Sequence, residues 1–273
     1  MVTFLLMAKP SPIDSEQPIS RSAGRRLKLS SSRSLVMDML YFHRKMPTVA
    51  HCRSMNLGKL VELRQQSSRP VAWSLLFIKA FAKVALQHPQ LRQTYMSTPW
   101  PHLYESAANV VNLAIARDYN DEQWLFFAPI QSPENHSLQK LQELLEDYRS
   151  SPVEKVFATQ LRIAKLPLLV RRALWWLRLH ISGKKRVKRL GTFGLTTLAG
   201  EGATIIDPRA PTTSILTYGP TDEDGRCDVT IVYDHRIMDG RLIAQALREL
   251  EKTLTQEIAN EYLQLIETVD RNS

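Results

Sequence analysis

The chain has 273 residues, of which 44% are hydrophobic and 23% charged, with a net charge of +9 and only two cysteines. That length carries one large domain or at most two small ones, and the balance is that of a folded globular chain, neither disordered nor membrane-spanning. No apolar run approaches the ~20 residues that a bilayer crossing needs, and two cysteines make neither a disulfide framework nor a metal site, which fits a reducing, cytoplasmic setting.

Residues 1–30 carry Pro, Ser and basic residues without periodicity and are expected to form a flexible basic arm. The apolar opening from Met1 to Met7 meets Lys9 and Pro10 at once and lacks a basic flank, which argues against a secretory leader. Residues 31–273 are then expected to be one catalytic-type domain. Ser34 to Phe42 predicts a helix that ends before Pro47, and Thr48 to Met55 a strand, with Asn56 capping a helix through Leu57, Leu60, Val61 and Leu63. Within that strand His51 and Cys52 are neighbours in sequence, so they point to opposite faces and make no catalytic pair. Val71 to Leu86 is nearly all apolar, which predicts a fully buried helix ending before Pro89. Val110 to Ala116 and Trp124 to Ile130, joined by the polar Asp118 to Asp121, predict a hairpin.

Ser137 to Tyr148 is amphipathic with Leu138, Leu141, Leu144 and Leu145 on one face. Between Gln160 and Leu190 stand ten Lys and Arg residues and no acid, so the basicity of the chain is one local device and the remainder is close to neutral. Trp175, Trp176 and several leucines interleave with those cations, which predicts a basic amphipathic helix. Two readings stand for it: a helix docked on its own domain with a solvated basic face, or a contact with an anionic membrane surface. Clustered cations also suit the phosphates of a nucleotide-like ligand, and nucleic-acid binding is the weakest reading. Thr192 to Leu198, Ser214 to Tyr218 and Cys227 to Tyr233 predict strands, Pro220 to Arg226 an acidic turn, and two helices follow, one after Gly240 and one over Glu257 to Ile266. Strands and helices mix throughout, so the fold class is α/β with a mixed sheet.

The chemistry concentrates where the last strand ends. After Tyr233 come Asp234, His235 and Arg236, then Asp239 and Gly240 before the next helix. A histidine fixed at a strand end is well placed as a general base, because its ordinary pKa lets it accept a proton near neutral pH. On spacing alone a lone histidine near a turn is more often a satisfied structural residue than a catalyst.

The segment Tyr-Asp-His-Arg-Ile-Met-Asp-Gly over 233–240 resembles the Asp-His-Arg-x-x-Asp-Gly signature of the catalytic domain of 2-oxoacid dehydrogenase dihydrolipoamide acyltransferases, which shares its fold with chloramphenicol acetyltransferase. Phe193-Gly194-Leu195-Thr196-Thr197-Leu198 before Gly200 and Gly202 occupies the place of the family's oxyanion-binding hydroxyl. Ser32-Arg33 with Pro47 looks like its N-terminal motif, and the buried helix around Phe77 to Ala82 and the strand Val111 to Ala116 fall in family order.

The resemblance implies a chloramphenicol acetyltransferase-like two-layer sandwich, a mixed β-sheet with helices packed on one side. It assigns general-base work to His235, oxyanion donation to Thr196 (Thr197 if the register slips by one), and loop support to Asp239, paired with Arg33. Asp234, Arg236 and Gly240 support the same site. It further implies acyl-CoA as a co-substrate with no tightly bound cofactor, a thiol or hydroxyl acceptor of unidentified kind, and a homotrimer with the site at a subunit boundary. Two departures bear on the substrate: about 30 arm residues hold no lipoyl or subunit-binding domain, and the 160–190 segment is longer and more basic than its family counterpart. A non-catalytic trimeric scaffold retaining the fold is the alternative expectation.

Overall fold

The structure is a computed structural model that describes residues 24–271. Of the expected arm, residues 1–23 lie outside the described ones, and residues 24–30 run without helix or strand to Ser30, whose hydroxyl accepts the N–H of Arg33 and caps helix α1 (Ser31–His43). Strand β1 (Thr48–Asn56) follows, then α2 (Gly58–Gln66), where the Asn56 side chain accepts the N–H of Gly58 although Leu57 holds the cap position. The apolar run folds as α3 (Trp73–Gln87), with almost every residue buried. Its one buried cation, Lys79, is held by Glu261 at 2.5 Å and by the His136 carbonyl at 2.6 Å, as a charge removed from water requires.

A short ribbon that the sequence pattern does not announce comes next, β2 (Gln93–Met96) paired with β3 (His102–Glu105). The expected hairpin is β4 (Val110–Tyr119) and β5 (Glu122–Gln131); Asn120 and Asp121 carry its two-residue turn at φ 51° and 59°, the left-handed conformation that matches the twist of the strands. After α4 (Leu138–Ser150), capped by Ser137, the basic segment is not one helix. After a short α5 (Val153–Val156) it breaks into α6 (Ala158–Ala164), α7 (Leu168–His180) and α8 (Gly183–Leu190). Pro167 interrupts the ladder before α7, and the Ser182 hydroxyl accepts the Lys185 N–H to restart it at α8.

Strands β6 (Phe193–Leu195), β7 (Ser214–Thr221) and β8 (Arg226–Asp234) complete the sheet, and α9 (Gly240–Thr253) runs through a π turn at Leu254–Ile258 into α10 (Ala259–Arg271). The π turn makes one continuous rod of what reads in sequence as two helices. The sheet order is β1-β8-β7-β6-β4-β5, with β6 parallel to both neighbours and the other pairs antiparallel. The sheet is therefore mixed. Alternate residues Leu216, Tyr218, Val229, Ile231 and Tyr233 join α3 and α9 in one apolar core, where Phe77 stacks on Tyr218 at 4.3 Å and Phe81 meets Phe193 edge-on at 4.8 Å. Each such ring removed from water contributes about 1.5–3 kcal/mol. Helices α3 and α9 covering this face of the mixed sheet make the fold α/β.

Among the described residues no helix is long and apolar enough to cross a membrane, and no group of His, Cys, Asp and Glu is arranged to hold a metal ion.

Candidate active site

Strand β8 is pinned at its end by backbone hydrogen bonds on both sides. The Asp234 N–H donates to the Thr213 carbonyl at 2.9 Å, and the His235 N–H donates to the Pro47 carbonyl at 2.9 Å. The loop then turns through Ile237 and Met238, whose N–H groups both return to the Asp234 carbonyl. This places His235 at a fixed point beyond the sheet, exposed, with its ring edge-on to Tyr233 at 5.9 Å between centroids. Its Nδ1 lies 2.8 Å from the Met238 carbonyl. A carbonyl only accepts, so Nδ1 carries the proton and the lone pair sits on Nε2, which has no hydrogen bond among the described residues. That is the tautomer a general base needs.

Asp234 and Arg236 brace the loop. The Asp234 carboxylate is fully buried and accepts from Arg236 three times: from its N–H at 3.1 Å, its Nε at 2.8 Å and its Nη2 at 2.5 Å. The guanidinium also lies 4.2 Å over the Tyr95 ring. Asp239 caps α9, its carboxylate accepting the Leu242 N–H at 3.0 Å. Gly240 opens that helix because a Cβ there would come 2.8 Å from Nε2 of His51.

The expected pairing of Arg33 with Asp239 is not made within the chain. Arg33 sits exposed in the first turn of α1, and the Asp239 carboxylate is committed to the α9 cap. The acid of α1 that is paired is Asp38. Fully buried, it takes Arg171 of α7 as its ion-pair partner and Arg172 at 3.4 Å, while Arg172 also lies 4.1 Å over Tyr41. Two cations of the basic segment, Arg171 and Arg186, thus point inward, and α7 exposes Leu168, Leu169, Val170, Trp176 and Leu177 instead. Docking on its own domain accounts for these two arginines.

Of the two threonines, Thr197 is fully engaged: its hydroxyl donates to the Tyr218 carbonyl at 2.8 Å and accepts the Ala199 N–H at 3.0 Å. The Thr196 backbone N–H donates to the Leu216 carbonyl at 3.2 Å, and its half-buried side chain has no hydrogen bond among the described residues. The hydroxyl free to donate is that of Thr196. Yet the register keeps it from His235. Leu195 pairs with Leu216 and Leu216 with Ile231, so Thr196 follows at the level of Thr217 and Thr230, whereas His235 follows Asp234 at the other end of β8. The separation is roughly 16 Å along the strands and about 10 Å across them. Both side chains are available, and one chain does not bring them together.

Cys52 is exposed on β1, and Cys227 is buried, donating to the Gly219 carbonyl at 3.3 Å, with burial first and the Asp228 charge after it pushing its thiol up to about 11. The features not foreseen are the Met238 carbonyl and the Asp38 ion pair. The first has no side-chain signature, whereas a lone acid in the apolar stretch of α1 was a readable sign of the second.

No protein-family model and no curated protein sequence matches the chain. Solved structures do. A probable dihydrolipoamide acetyltransferase from Listeria monocytogenes 4b F2365 is similar with a TM-score of 0.60 at 16% identity, over 85% of this chain and 94% of that one. A truncated catalytic core of the 2-oxoacid dehydrogenase multienzyme complex from Thermoplasma acidophilum gives 0.62 at 17%, over 85% and 99%. Dihydrolipoamide acetyltransferase from Azotobacter vinelandii, in a study of a serine, a histidine and an asparagine in its catalytic mechanism, gives 0.62 at 18%, over 90% and 99%. The chain has the fold of these catalytic cores, the fold that its own motifs led us to expect.

Proposed function

We propose that the protein is an acyltransferase that moves an acyl group from an acyl-CoA thioester to a thiol or hydroxyl acceptor, with His235 as general base. The observation that carries this reading is the Nδ1–H bond from His235 to the Met238 carbonyl, which leaves Nε2 as a base at the end of β8. The fold shared with dihydrolipoamide acetyltransferase cores supports it. So does spacing: the histidine and asparagine named for the Azotobacter enzyme stand four residues apart, as His235 and Asp239 do here.

The chemistry balances without a covalent enzyme intermediate. Nε2 takes the proton of the acceptor S–H or O–H as the acceptor attacks the thioester carbonyl. The Thr196 hydroxyl donates to the oxygen that becomes negative. The intermediate collapses with cleavage of the C–S bond, and the imidazolium returns the proton to the departing CoA thiolate. Because Thr196 and His235 lie at opposite ends of the sheet, we infer that a site is completed by His235 of one subunit and Thr196 of its neighbour in a cyclic homotrimer.

The test is thiol release from a panel of acyl-CoA thioesters with candidate acceptors. The expected result is release that falls about 10²- to 10⁴-fold in His235→Ala. A rate unchanged by that substitution would overturn the reading.

A further inference from the structure

Arg236 also lines a cleft of ≈ 350 Å³. It opens between the end of α1, β2 and the α7–α8 pair, and His235 is not part of its wall. Its polar wall is Lys45, Ser97, His180, Arg186 and Arg236, and its apolar wall includes Phe42, Met46, Trp176 and Leu179. None of the lining residues is an acid.

The charge balance is unusual for a partly closed space. Arg186 is only 5% exposed and is held by three carbonyls, Tyr95 at 2.9 Å, Leu179 at 3.3 Å and Pro211 at 3.4 Å, with no carboxylate of its own. The one carboxylate behind the wall is Asp234, and Arg236 already takes it twice over. Three cations against one acid leave two positive charges uncompensated. Burial pulls the Arg186 guanidinium down to about 10, Asp234 opposing and Arg236 adding to the effect. The His180 imidazole is lowered by burial and then by Arg186, Lys45 and Arg236, which keeps it neutral, and its Nδ1 lies 2.9 Å from the Ser97 hydroxyl. Arg186 is the desolvated cation of the three, held by carbonyls and no carboxylate, and a bound anion repays the cost of its burial, while Lys45 adds an exposed positive charge to the wall. Two excess charges match a dianion. The Trp176, Phe42 and Leu179 wall adds room for an apolar body.

We propose that this cleft is a ligand site, separate from the acyl-transfer centre, for a phosphate monoester carried on an apolar chain. Lys45, Arg186 and Arg236 face the phosphate, Ser97 and His180 supply neutral hydrogen bonds, and Trp176 covers the chain. The shared chemistry serves a soluble alkyl phosphate or a lipid with a phosphate monoester head.

The test is calorimetric titration of the full chain with hexyl phosphate, with inorganic phosphate and hexanol as controls. Hexyl phosphate is expected to bind saturably, and tighter than either control. Lys45 is exposed, so Lys45→Gln is expected to leave the melting temperature unchanged while weakening binding by on the order of tenfold or more, the usual effect of one charge-assisted hydrogen bond. Trp176→Ala is expected to weaken hexyl phosphate but not inorganic phosphate. Displacement by vesicles of phosphatidylcholine with phosphatidic acid assigns a lipid source, and its absence a soluble one. Three results would each overturn the proposal: no saturable binding, affinity for hexyl phosphate equal to that for hexanol or insensitive to Lys45→Gln, or displacement by CoA as effective as by hexyl phosphate itself. Binding retained in His235→Ala separates this site from the acyl-transfer reading.

Discussion

His235 and Thr196 owe their proposed roles to what their neighbours already do. The Met238 carbonyl fixes the histidine proton on Nδ1, and the two hydrogen bonds of Thr197 remove it from contention as the oxyanion donor. The two threonines should therefore part on substitution. Thr196→Ala is expected to lower kcat about 10²- to 10³-fold with an unchanged melting curve. Thr197→Val is expected to leave kcat close to wild type and to cost about 1 kcal/mol in a denaturant titration. His180 gives a second residue-scale expectation. Its folded pKa lies below the ordinary histidine value of 6.5, first through burial and then through Arg186, Lys45 and Arg236. As pH falls through 6.5 the unfolded chain takes the proton first, so stability drops until His180 titrates in the fold as well. Above 6.5 the group contributes no slope. Melting temperatures at pH 7.5 and 5.5 should fall less in His180→Asn than in the wild type; equal falls would remove His180 from the account.

At the scale of elements, the periodic segments were legible from sequence. The run from Leu75 to Ala85 could only be a buried helix, the β4–β5 pair announced its turn, and the abrupt polar residues after Tyr233 marked the end of β8. The basic segment was not, because its hydrophobic period continues across Pro167 and Ser182 although the backbone does not. Its cations also divide in a way that composition hides. Arg171 turns in to Asp38 and Arg186 to carbonyls, while Leu168, Leu169, Val170, Trp176 and Leu177 of α7 stay exposed. The Arg33–Asp239 pairing is not made within one chain, where one oxygen of the Asp239 carboxylate caps α9 and Arg33 stays exposed. Asp38 is the element-scale test. Asp38→Asn leaves Arg171 buried and uncompensated, which is expected to destabilise the chain by roughly 3–5 kcal/mol and to expose α7 to limited proteolysis. Wild-type stability and cleavage would show that the pair does not anchor α7.

At the scale of the whole molecule, the sheet register separates the two residues that the chemistry needs. A single copy holds a base at one end of the sheet and an available hydroxyl at the other. The sequence motifs pointed to both residues and were silent on this distance, because register is fixed by pairing and not by composition. An interface that closes in a ring lets each copy lend its threonine to the next histidine.

That claim is tested most directly by complementation between two inactive chains. His235→Ala and Thr196→Ala are co-expressed, assembled at equal amounts and assayed for thiol release from the acyl-CoA that the wild type prefers. Random assembly restores an intact pair in about a quarter of the sites, so the account predicts roughly a quarter of the wild-type rate from two chains that are each nearly inactive alone. A mixed assembly that stays at the rate of its separate components would contradict it.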